Sequence, residues 1–423
     1  MSESQSNIIL LTADALRADH LGCYGYHRNT SPILDELADE SLRFENAYSA
    51  SSHTREAIPA LLTGEYPDIA IDSNYQLEAS TIASTLSSSG YATAGFHSNP
   101  FVSRAYGFDD GFDTFDDDLH LGQHKFIALA QRALDKIRNR HYARAPEINN
   151  RSLEWIDSID RDTSFFLWNH YMDTHGPYEP PEEYATLYTD STVNAREAQS
   201  LYQRAIDDPD SITTDERQRL IDLYDAEIRY NDQYIGEFLD ALRDRDLLAD
   251  SYVIISADHG DAFGEHGYYE HPRYLHDEIT HVPLLVRRPS GSTRTVETPV
   301  STLDIATTIE DVLGPEQDFS LIEPPSEDTD RRVFLQARGE DEYSHLRRYA
   351  LRTREGSCFC ERNVKTGEVT HETSVDSPLR DELDAHVTER VRAESGTSQT
   401  PTDGTNEEVG EEIEQRLDAL GYR

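Results

Sequence analysis

Short apolar runs recur along the chain and alternate with longer amphipathic segments. The runs are rich in β-branched and aromatic residues and read as strands buried on both faces of a parallel sheet: Asn7 to Thr12, Tyr91 to Phe96, Ser164 to His170, Tyr252 to Ser256 and Val282 to Val286. Apolar positions at helical spacing predict helices over Glu56 to Thr63, Ser80 to Ser89, Leu220 to Leu247 and Ser301 to Leu313. This alternation predicts an α/β fold with a mostly parallel central sheet flanked by helices, over residues 1–320.

The pattern changes after about Arg331, where short strand-like segments surround a turn at Lys365. We expect a small C-terminal α+β subdomain over residues 321–393. Residues 394–412 are rich in Ser, Thr, Glu and Gly, a composition typical of a disordered acidic linker. Residues 413–423 then predict a short C-terminal helix.

Polar residues follow three of the predicted strands directly. Asp14 follows the first, Asp173 and His175 follow the third, and Asp258 and His259 follow the strand at Tyr252 to Ser256. Because the carboxyl ends of parallel strands open onto one cleft, these side chains can meet there. An Asp at such a position also commonly caps a helix or a turn, and that alternative stays open.

The stretch ADHGDAFGEHGYYEH contains the highest density of candidate metal-binding and catalytic residues. Asp258 and His259 present an oxygen and a nitrogen to a divalent cation, Gly260 lets the backbone turn away, and His271 follows shortly after. A second candidate is the hydroxyl of Thr54, which precedes the helix starting at Glu56. A hydroxyl there either caps the helix or acts as a nucleophile beside the free N–H groups.

Charge is the outlying property of the composition. The 423 residues contain 38 Lys and Arg against 81 Asp and Glu, a net charge of −43, and the three lysines are Lys125, Lys136 and Lys365. Such acidity is typical of halophilic proteins, whose carboxylates maintain solubility while salt screens their repulsion. It argues against nucleic acid and anionic membrane surfaces as partners.

The first residues show no signal-peptide pattern, and no apolar run is long enough to insert into a membrane. We therefore expect a cytoplasmic protein. Cys23, Cys358 and Cys360 indicate no disulfide framework.

Five ordered blocks resemble the sulfatase family of the alkaline phosphatase superfamily. They are TADALRADHLGCYGY, LLTGEYP, HYMDTHGPYEPP, ADHGDAFGEHG and DEITHVPLLV, and they cover roughly residues 7 to 315. The resemblance implies an alkaline-phosphatase-like fold and one divalent metal ion. By position in the family motifs, the implied metal ligands are Asp14, Thr54, Asp258 and His259, the implied catalytic residues are Thr54, His175 and His271, and the candidate substrate contacts are Arg55 and Arg273.

The chain also departs from the family pattern. Sulfatases convert the Cys or Ser of a C/S-x-P-x-R motif to formylglycine, whereas this chain reads Thr54-Arg55-Glu56-Ala57-Ile58, and Ala15 replaces the second acid of an Asp-Asp pair. The lysines of those active sites have no counterpart. The set is similar to that of single-metal phosphotransferases and phosphodiesterases of the superfamily, in which Thr is nucleophile and metal ligand.

The resemblance therefore implies a metal-dependent hydrolase or transferase of phosphate or sulfate esters, with phosphodiesters favoured. One alternative is a sulfate-ester hydrolase without formylglycine, and another is a non-catalytic glycan-binding protein. We expect the metal ion to be Mn, Ca or Zn, and a second metal site formed by Asp173, His175 and His271 is an alternative. The expected partner is a small-molecule or glycan ester; the oligomeric state is left open.

Overall fold

A computed structural model describes residues 5–119, 142–189, 194–291, 293–314, 319–324, 329–372 and 378–396. The strands are β1 Asn7–Ala13, β2 Leu42–Phe44, β3 Ala47–Tyr48, β4 Ala92–Phe96, β5 Thr114–Asp116, β6 Phe165–Tyr171, β7 Ser251–Ala257, β8 Ala262–Phe263, β9 Tyr269–Glu270, β10 Leu284–Arg287, β11 Arg294–Val296, β12 Val300–Ser301, β13 Val333–Arg338, β14 Leu346–Thr353, β15 Gly356–Asn363 and β16 Val369–His371. The helices are α1 Pro32–Asp39, α2 Thr54–Thr63, α3 Pro67–Ala70, α4 Ile82–Ser88, α5 Ala145–Ser158, α6 Glu182–Ala185, α7 Ala195–Asp207, α8 Thr214–Asp244, α9 Asp277–Thr280, α10 Leu303–Asp311 and α11 Pro378–Gly396.

The central sheet has the strand order β11-β2-β10-β7-β1-β6-β4-β5. The strands from β7 to β5 in this order run parallel, whereas β10 runs antiparallel to both β7 and β2. All five strands predicted in this part of the chain lie in this sheet, and the predicted α/β fold is confirmed. One end of the parallel strands therefore gathers the residues that follow β1, β6, β7 and β4.

Both faces of the sheet are covered by helices, which explains why its central strands are continuously apolar. In β1, Ile9 and Leu11 pack into the core cluster that includes residues of α8. Ile8 and Leu10 point the other way and pack with residues of α2, α4 and α10. A buried side chain of this size contributes about 1.5–3 kcal/mol, so these two layers fix the sheet between them.

Helix α8 begins earlier than the apolar stripe predicts. It starts at Thr214 because Thr213 forms a capping box with Glu216, whose side chain accepts a hydrogen bond from the Thr213 N–H at 3.0 Å. Helix α2 also begins early, at Thr54 where Glu56 was predicted. In both cases the first turn is polar and carries no apolar periodicity.

The C-terminal part forms a separate four-stranded antiparallel sheet in the order β13-β14-β15-β16. Helix α11 packs on it, with Leu383 and Val387 in the same core cluster as Cys358 and Cys360. The two cysteines share one face of β15 and are free thiols. The predicted linker at 394–412 lies outside the described residues beyond 396, as does the predicted helix at 413–423.

Candidate metal and catalytic site

The register of β1 and β7 places two carboxylates side by side. Ala13 pairs with Ala257 in the parallel ladder, so Asp14 and Asp258 are the next residue on each of two neighbouring strands. Both side chains are fully buried. The sheet thus brings together two acids separated by most of the chain, as the sequence predicts.

His259 completes a compact group with these acids. Its Nε2 atom lies 3.5 Å from Asp14 Oδ1 and 3.5 Å from Asp258 Oδ2. One donor atom from each of the three residues lies within 4.8 Å of the others. Two carboxylates and one imidazole at this separation are a plausible donor set for a divalent cation.

Thr54 faces this group from the first turn of α2. Its Oγ1 atom lies 3.1 Å from His259 Nε2, and the residue is fully buried. The N-cap of α2 is His53, whose Nδ1 accepts a hydrogen bond from the Arg55 N–H at 3.1 Å. Because His53 caps the helix, the Thr54 hydroxyl is not used for capping.

The two carboxylates each have one oxygen held by the protein and one aimed at the group. Asn99 Nδ2 donates to Asp14 Oδ2 at 2.6 Å, and the Ala15 N–H donates to Asp258 Oδ1 at 3.2 Å. The other oxygens, Asp14 Oδ1 and Asp258 Oδ2, are buried and find no hydrogen-bond partner within the described ranges. Buried carboxylate oxygens require a compensating partner, and a cation would supply it, so these residues fit a metal ion.

The pKa shifts of Asp14 and Asp258 also fit a cation bound between them. Burial raises the pKa of Asp14, but its interactions with His175, His170 and His259 outweigh burial and hold the pKa below its ordinary range. Burial raises the pKa of Asp258, and the adjacent Asp14 charge adds to that rise. Two buried like charges repel each other, and a cation between them would relieve the repulsion.

His271 lies beside this group and is oriented by a buried acid. Its ring centroid is 4.3 Å from that of His259, and its Nδ1 lies 2.7 Å from Asp261 Oδ1. Tyr178 donates its hydroxyl to Asp261 Oδ2 at 2.5 Å. Burial lowers the pKa of His271 to about 4 and the nearby His259 adds to the fall, so a neutral ring donates its Nδ1–H to the Asp261 carboxylate.

His175 lies against His271, with ring centroids 5.1 Å apart. Its Nδ1 lies 2.6 Å from the Gly176 carbonyl oxygen, which accepts the Nδ1 proton. Each of the two histidines therefore has its Nδ1 engaged by the protein, and a contact with an ester would be made through Nε2.

Asp173 does not join His175 in the cleft, and the prediction that both point there is wrong. Asp173 Oδ1 accepts from Arg144 Nε at 2.8 Å, and Oδ2 accepts from the Ala145 N–H at 3.0 Å. Arg144 and Ala145 hold both oxygens of this carboxylate, and the described residues do not group Asp173 with His175 and His271 as a metal-binding set. The donors of His259, Asp261 and His271 also lie within 4.8 Å, but His271 and Tyr178 already engage both oxygens of Asp261.

Of the two candidate arginines, Arg55 lies in α2 and Arg273 contacts that helix from another segment. The Arg55 guanidinium stacks on Phe101, with its carbon 4.0 Å from the ring centroid. Arg273 is only 4% exposed and forms ion pairs with Glu340 and, at 3.6 Å, with Glu56. Arg273 thus offsets the charge of buried Glu56, and its role as a substrate contact stays a prediction, as does that of Arg55.

The structure therefore brings together the four predicted metal ligands, Asp14, Thr54, Asp258 and His259, and places His271 and His175 beside them. Sequence reasoning missed the residues that orient these side chains: His53, Asn99, His170 and Asp261. His170 Nε2 lies 3.3 Å from Asp14 Oδ2. The signal for Asn99 was its place shortly after β4, since the other members of the site also follow strand ends.

Solved structures include proteins with the same fold as this chain. The phosphonate monoester hydrolase of Agrobacterium radiobacter superposes with a TM-score of 0.67 at 18% identity, over 92% of this chain and 95% of that one.

No helix of the described residues has the length and apolar character needed to cross a bilayer.

Curated relatives are sulfatases. An uncharacterized sulfatase of Escherichia coli, YidJ, is 26% identical over 336 residues, covering 72% of this chain and 67% of the relative. Human iduronate 2-sulfatase is 26% identical over 332 residues, covering 67% of this chain and 60% of the relative. This chain thus spans 60% to 67% of the length of these two proteins.

The sulfatase family model matches residues 6–315, which includes every strand of the central sheet and each metal-ligand candidate. That match covers well over half of the chain. The neighbouring structure and the curated relatives are hydrolases of esters of phosphorus or sulfur acids. The chain belongs to the sulfatase family, whose members are ester hydrolases.

Proposed function

We propose that this chain is a metal-dependent ester hydrolase or transferase with Thr54 as its nucleophile, and that it favours phosphodiesters. The observation that carries the proposal is the position of Thr54 Oγ1, 3.1 Å from His259 Nε2 at the edge of the buried acid pair. A hydroxyl placed there can contact the same cation as the acids.

Asp14, Thr54, Asp258 and His259 would hold the cation. Oxygen donors with one imidazole suit manganese or zinc better than calcium, which prefers oxygen ligands throughout. When bound, the cation supplies positive charge that favours the alkoxide form of a hydroxyl and balances charge on the transferred group.

The chain's own groups would perform the remaining tasks. Thr54 is the first residue of α2, so the positive end of the helix dipole lies beside the attacked centre and favours negative charge. His175 and His271 are placed to exchange a proton with the leaving oxygen. Asn99 and the Ala15 N–H keep the two acids in fixed orientations.

The preference for phosphodiesters rests on the chemistry of position 54. Thr cannot be converted to formylglycine, and the stretch that follows lacks the C/S-x-P-x-R motif. A Thr nucleophile instead suits phosphoryl transfer through a covalent phosphothreonine ester, which then passes to water or to an acceptor alcohol. The phosphonate monoester hydrolase with the same fold is compatible with this preference.

Sulfate-ester hydrolysis is the second candidate, because the curated relatives are named as sulfatases. It requires that Thr54 attack sulfur without formylglycine. A glycan-binding role without turnover is the third, and the missing formylglycine motif favours it. We also propose that the protein works in a salt-rich cytoplasm, in line with its net charge of −43.

The test compares matched aryl substrates, a phosphodiester, a phosphomonoester and a sulfate ester, in molar KCl with added manganese. We expect diesterase activity that falls by at least about a thousandfold in Thr54→Ala. Thr63→Ala is the matched control, since Thr63 ends the same helix and its hydroxyl donates to the Pro59 carbonyl oxygen. Preferred cleavage of the sulfate ester would overturn the phosphodiester assignment, and metal binding without turnover of any ester would favour the binding protein.

A further inference from the structure

A second group of metal-binding side chains lies outside the Thr54 site. His266 follows the β8 strand, while His276 and Glu278 lie at the start of α9, and their donor atoms lie within 4.8 Å of one another. We propose that these three residues form a separate binding site for a borderline divalent cation such as zinc.

The donor distances support a shared ion. His266 Nε2 lies 3.3 Å from Glu278 Oε1, and His276 Nδ1 lies 4.0 Å from the same oxygen. The two imidazole rings stack with their centroids 3.9 Å apart, and a nitrogen of each lies near the same Glu278 oxygen. Two imidazoles and one carboxylate, with a further position for water, are a common donor set for zinc.

The Glu278 carboxylate supplies the independent reason to expect a cation. Glu278 is 8% exposed. Within the described part of the chain, His266 and His276 are the only Lys, Arg or His side chains within 4.0 Å of its carboxylate. Positive charge stabilises a nearly buried carboxylate, and a divalent cation held by Glu278 and the two imidazoles would provide it.

Access to the group is open. The His266 side chain is 47% exposed, so an ion can enter without opening the core. The Tyr268 hydroxyl would compete with the ion for two of its ligand atoms. It lies 2.5 Å from His276 Nδ1 and donates to Glu278 Oε1 at 3.1 Å. A bound ion would take over both of those contacts.

The location gives the site a structural role. His266 and Glu278 flank the segment that contains β9 and His271, so an ion would tie both ends of this segment together. His276 Nε2 also lies 3.8 Å from Glu372, which follows β16 of the C-terminal sheet. The ion would therefore fix the segment that presents His271 and connect it with the C-terminal sheet.

The test counts zinc equivalents bound by the chelator-treated, full-length protein after equilibration with zinc and removal of excess ion. We expect the double variant His266→Ala/His276→Ala to bind one equivalent fewer than the parent. His27→Ala, which removes another exposed histidine, is expected to bind the parental amount. Tyr268→Phe keeps all three ligands and removes the competitor, so its zinc affinity at this site should equal or exceed that of the parent.

A second measurement separates this site from the Thr54 site. In the variant Asp14→Asn/Asp258→Asn, the site formed by His266, His276 and Glu278 should still bind cobalt and give the visible absorption of the bound ion. Adding His266→Ala/His276→Ala to this variant should remove that absorption. Equal zinc content and equal cobalt spectra with and without His266 and His276 would overturn the proposal. The three side chains would then form only a hydrogen-bond network with Tyr268. Failure of the proposed Thr54 mechanism would not alter either result.

Discussion

Thr54 Oγ1 lies 3.1 Å from His259 Nε2, although 205 residues separate them in the chain. Thr54 is the first residue of α2 and His259 follows the carboxyl end of β7, so the contact joins these two elements. His53 caps α2 with its ring, which leaves the Thr54 hydroxyl directed at the acid pair. Thr54, which the sequence context suggests as a helix cap, is therefore placed where it can act as a nucleophile.

Asp261 is expected to position His271 through the Nδ1 contact. Asp261→Asn keeps the size of the side chain but favours the opposite tautomer of the ring, so we expect kcat to fall at least about tenfold with little change in KM. The pH profile of kcat should shift as well, which a loss of packing alone would not produce.

Tyr178→Phe is the matched control for that change. It removes the other hydrogen bond to Asp261 and leaves the carboxylate in place. We expect it to reduce kcat less than Asp261→Asn. An unchanged kcat and pH profile in Asp261→Asn would remove Asp261 from the mechanism.

Removal of the metal is expected to destabilise the fold. Without an ion, the buried Asp14 and Asp258 carboxylates repel each other, and Asp258 has a raised pKa because of burial and that repulsion. An ion at a hundred times its Kd adds about 2.7 kcal/mol to the free energy of unfolding, which raises Tm by several degrees. Thermal unfolding with manganese and with chelator measures the shift, and Asp258→Asn should lose most of it. A shift of the same size in that variant would place the stabilising ion elsewhere.

Gly260 is required because there is no room for a side chain after His259. A Cβ atom there would lie 2.4 Å from the Glu278 carbonyl oxygen and 2.8 Å from Arg17 Cγ. We expect Gly260→Ala to lower the free energy of unfolding by about 1–3 kcal/mol and to reduce activity, because the backbone must move next to His259.

Gly267→Ala is the comparison for this substitution. A Cβ atom at Gly267 meets nothing within 4 Å, so only the positive φ of 80° opposes it. We expect it to keep activity near the parental level, at a stability cost of about 1 kcal/mol. Equal activity in the two variants would show that the close approach at Gly260 does not position His259.

The C-terminal helix is expected to loosen in acid. His386 on α11 stacks on Phe334 with ring centroids 4.1 Å apart, and burial, with Arg390 adding to it, lowers the pKa of His386 to about 4. Between about pH 6.5 and about pH 4 the unfolded chain binds a proton that the folded chain does not, so the free energy of unfolding falls as pH decreases.

Urea unfolding near neutrality and near pH 5 measures this loss, which we expect to be about 1–2 kcal/mol for this residue. His386→Phe keeps the ring stacking and cannot titrate, so its loss between the two pH values should be smaller by that amount. If the parent and the variant respond equally, His386 does not titrate in this way.

The parts of the fold predicted from sequence are those fixed by local pattern. Apolar runs revealed the central strands, and polar residues directly after them revealed Asp14 and Asp258, because strand ends meet at one edge of a parallel sheet. The antiparallel direction of β10 was not predictable from its apolar run, since periodicity does not encode direction.

The side chains that orient the site were harder to predict because each depends on a partner distant in sequence. Asp173 resembled a cleft residue, yet Arg144 and the Ala145 N–H satisfy it from a neighbouring segment. The His53 cap was missed because histidine is not among the usual N-cap residues. Asp261 was within the recognised block, but its role emerged only from the placement of Tyr178 and His271.

The most direct measurement is to trap the covalent intermediate on Thr54. Rapid acid quenching during turnover of a methyl aryl phosphodiester, followed by peptide mass spectrometry, should find the methyl phosphoryl group on the peptide that contains Thr54. We expect this adduct to form at least as fast as steady-state turnover and to be absent, together with turnover, in Thr54→Ala. Turnover of the diester by Thr54→Ala at the parental rate would contradict it.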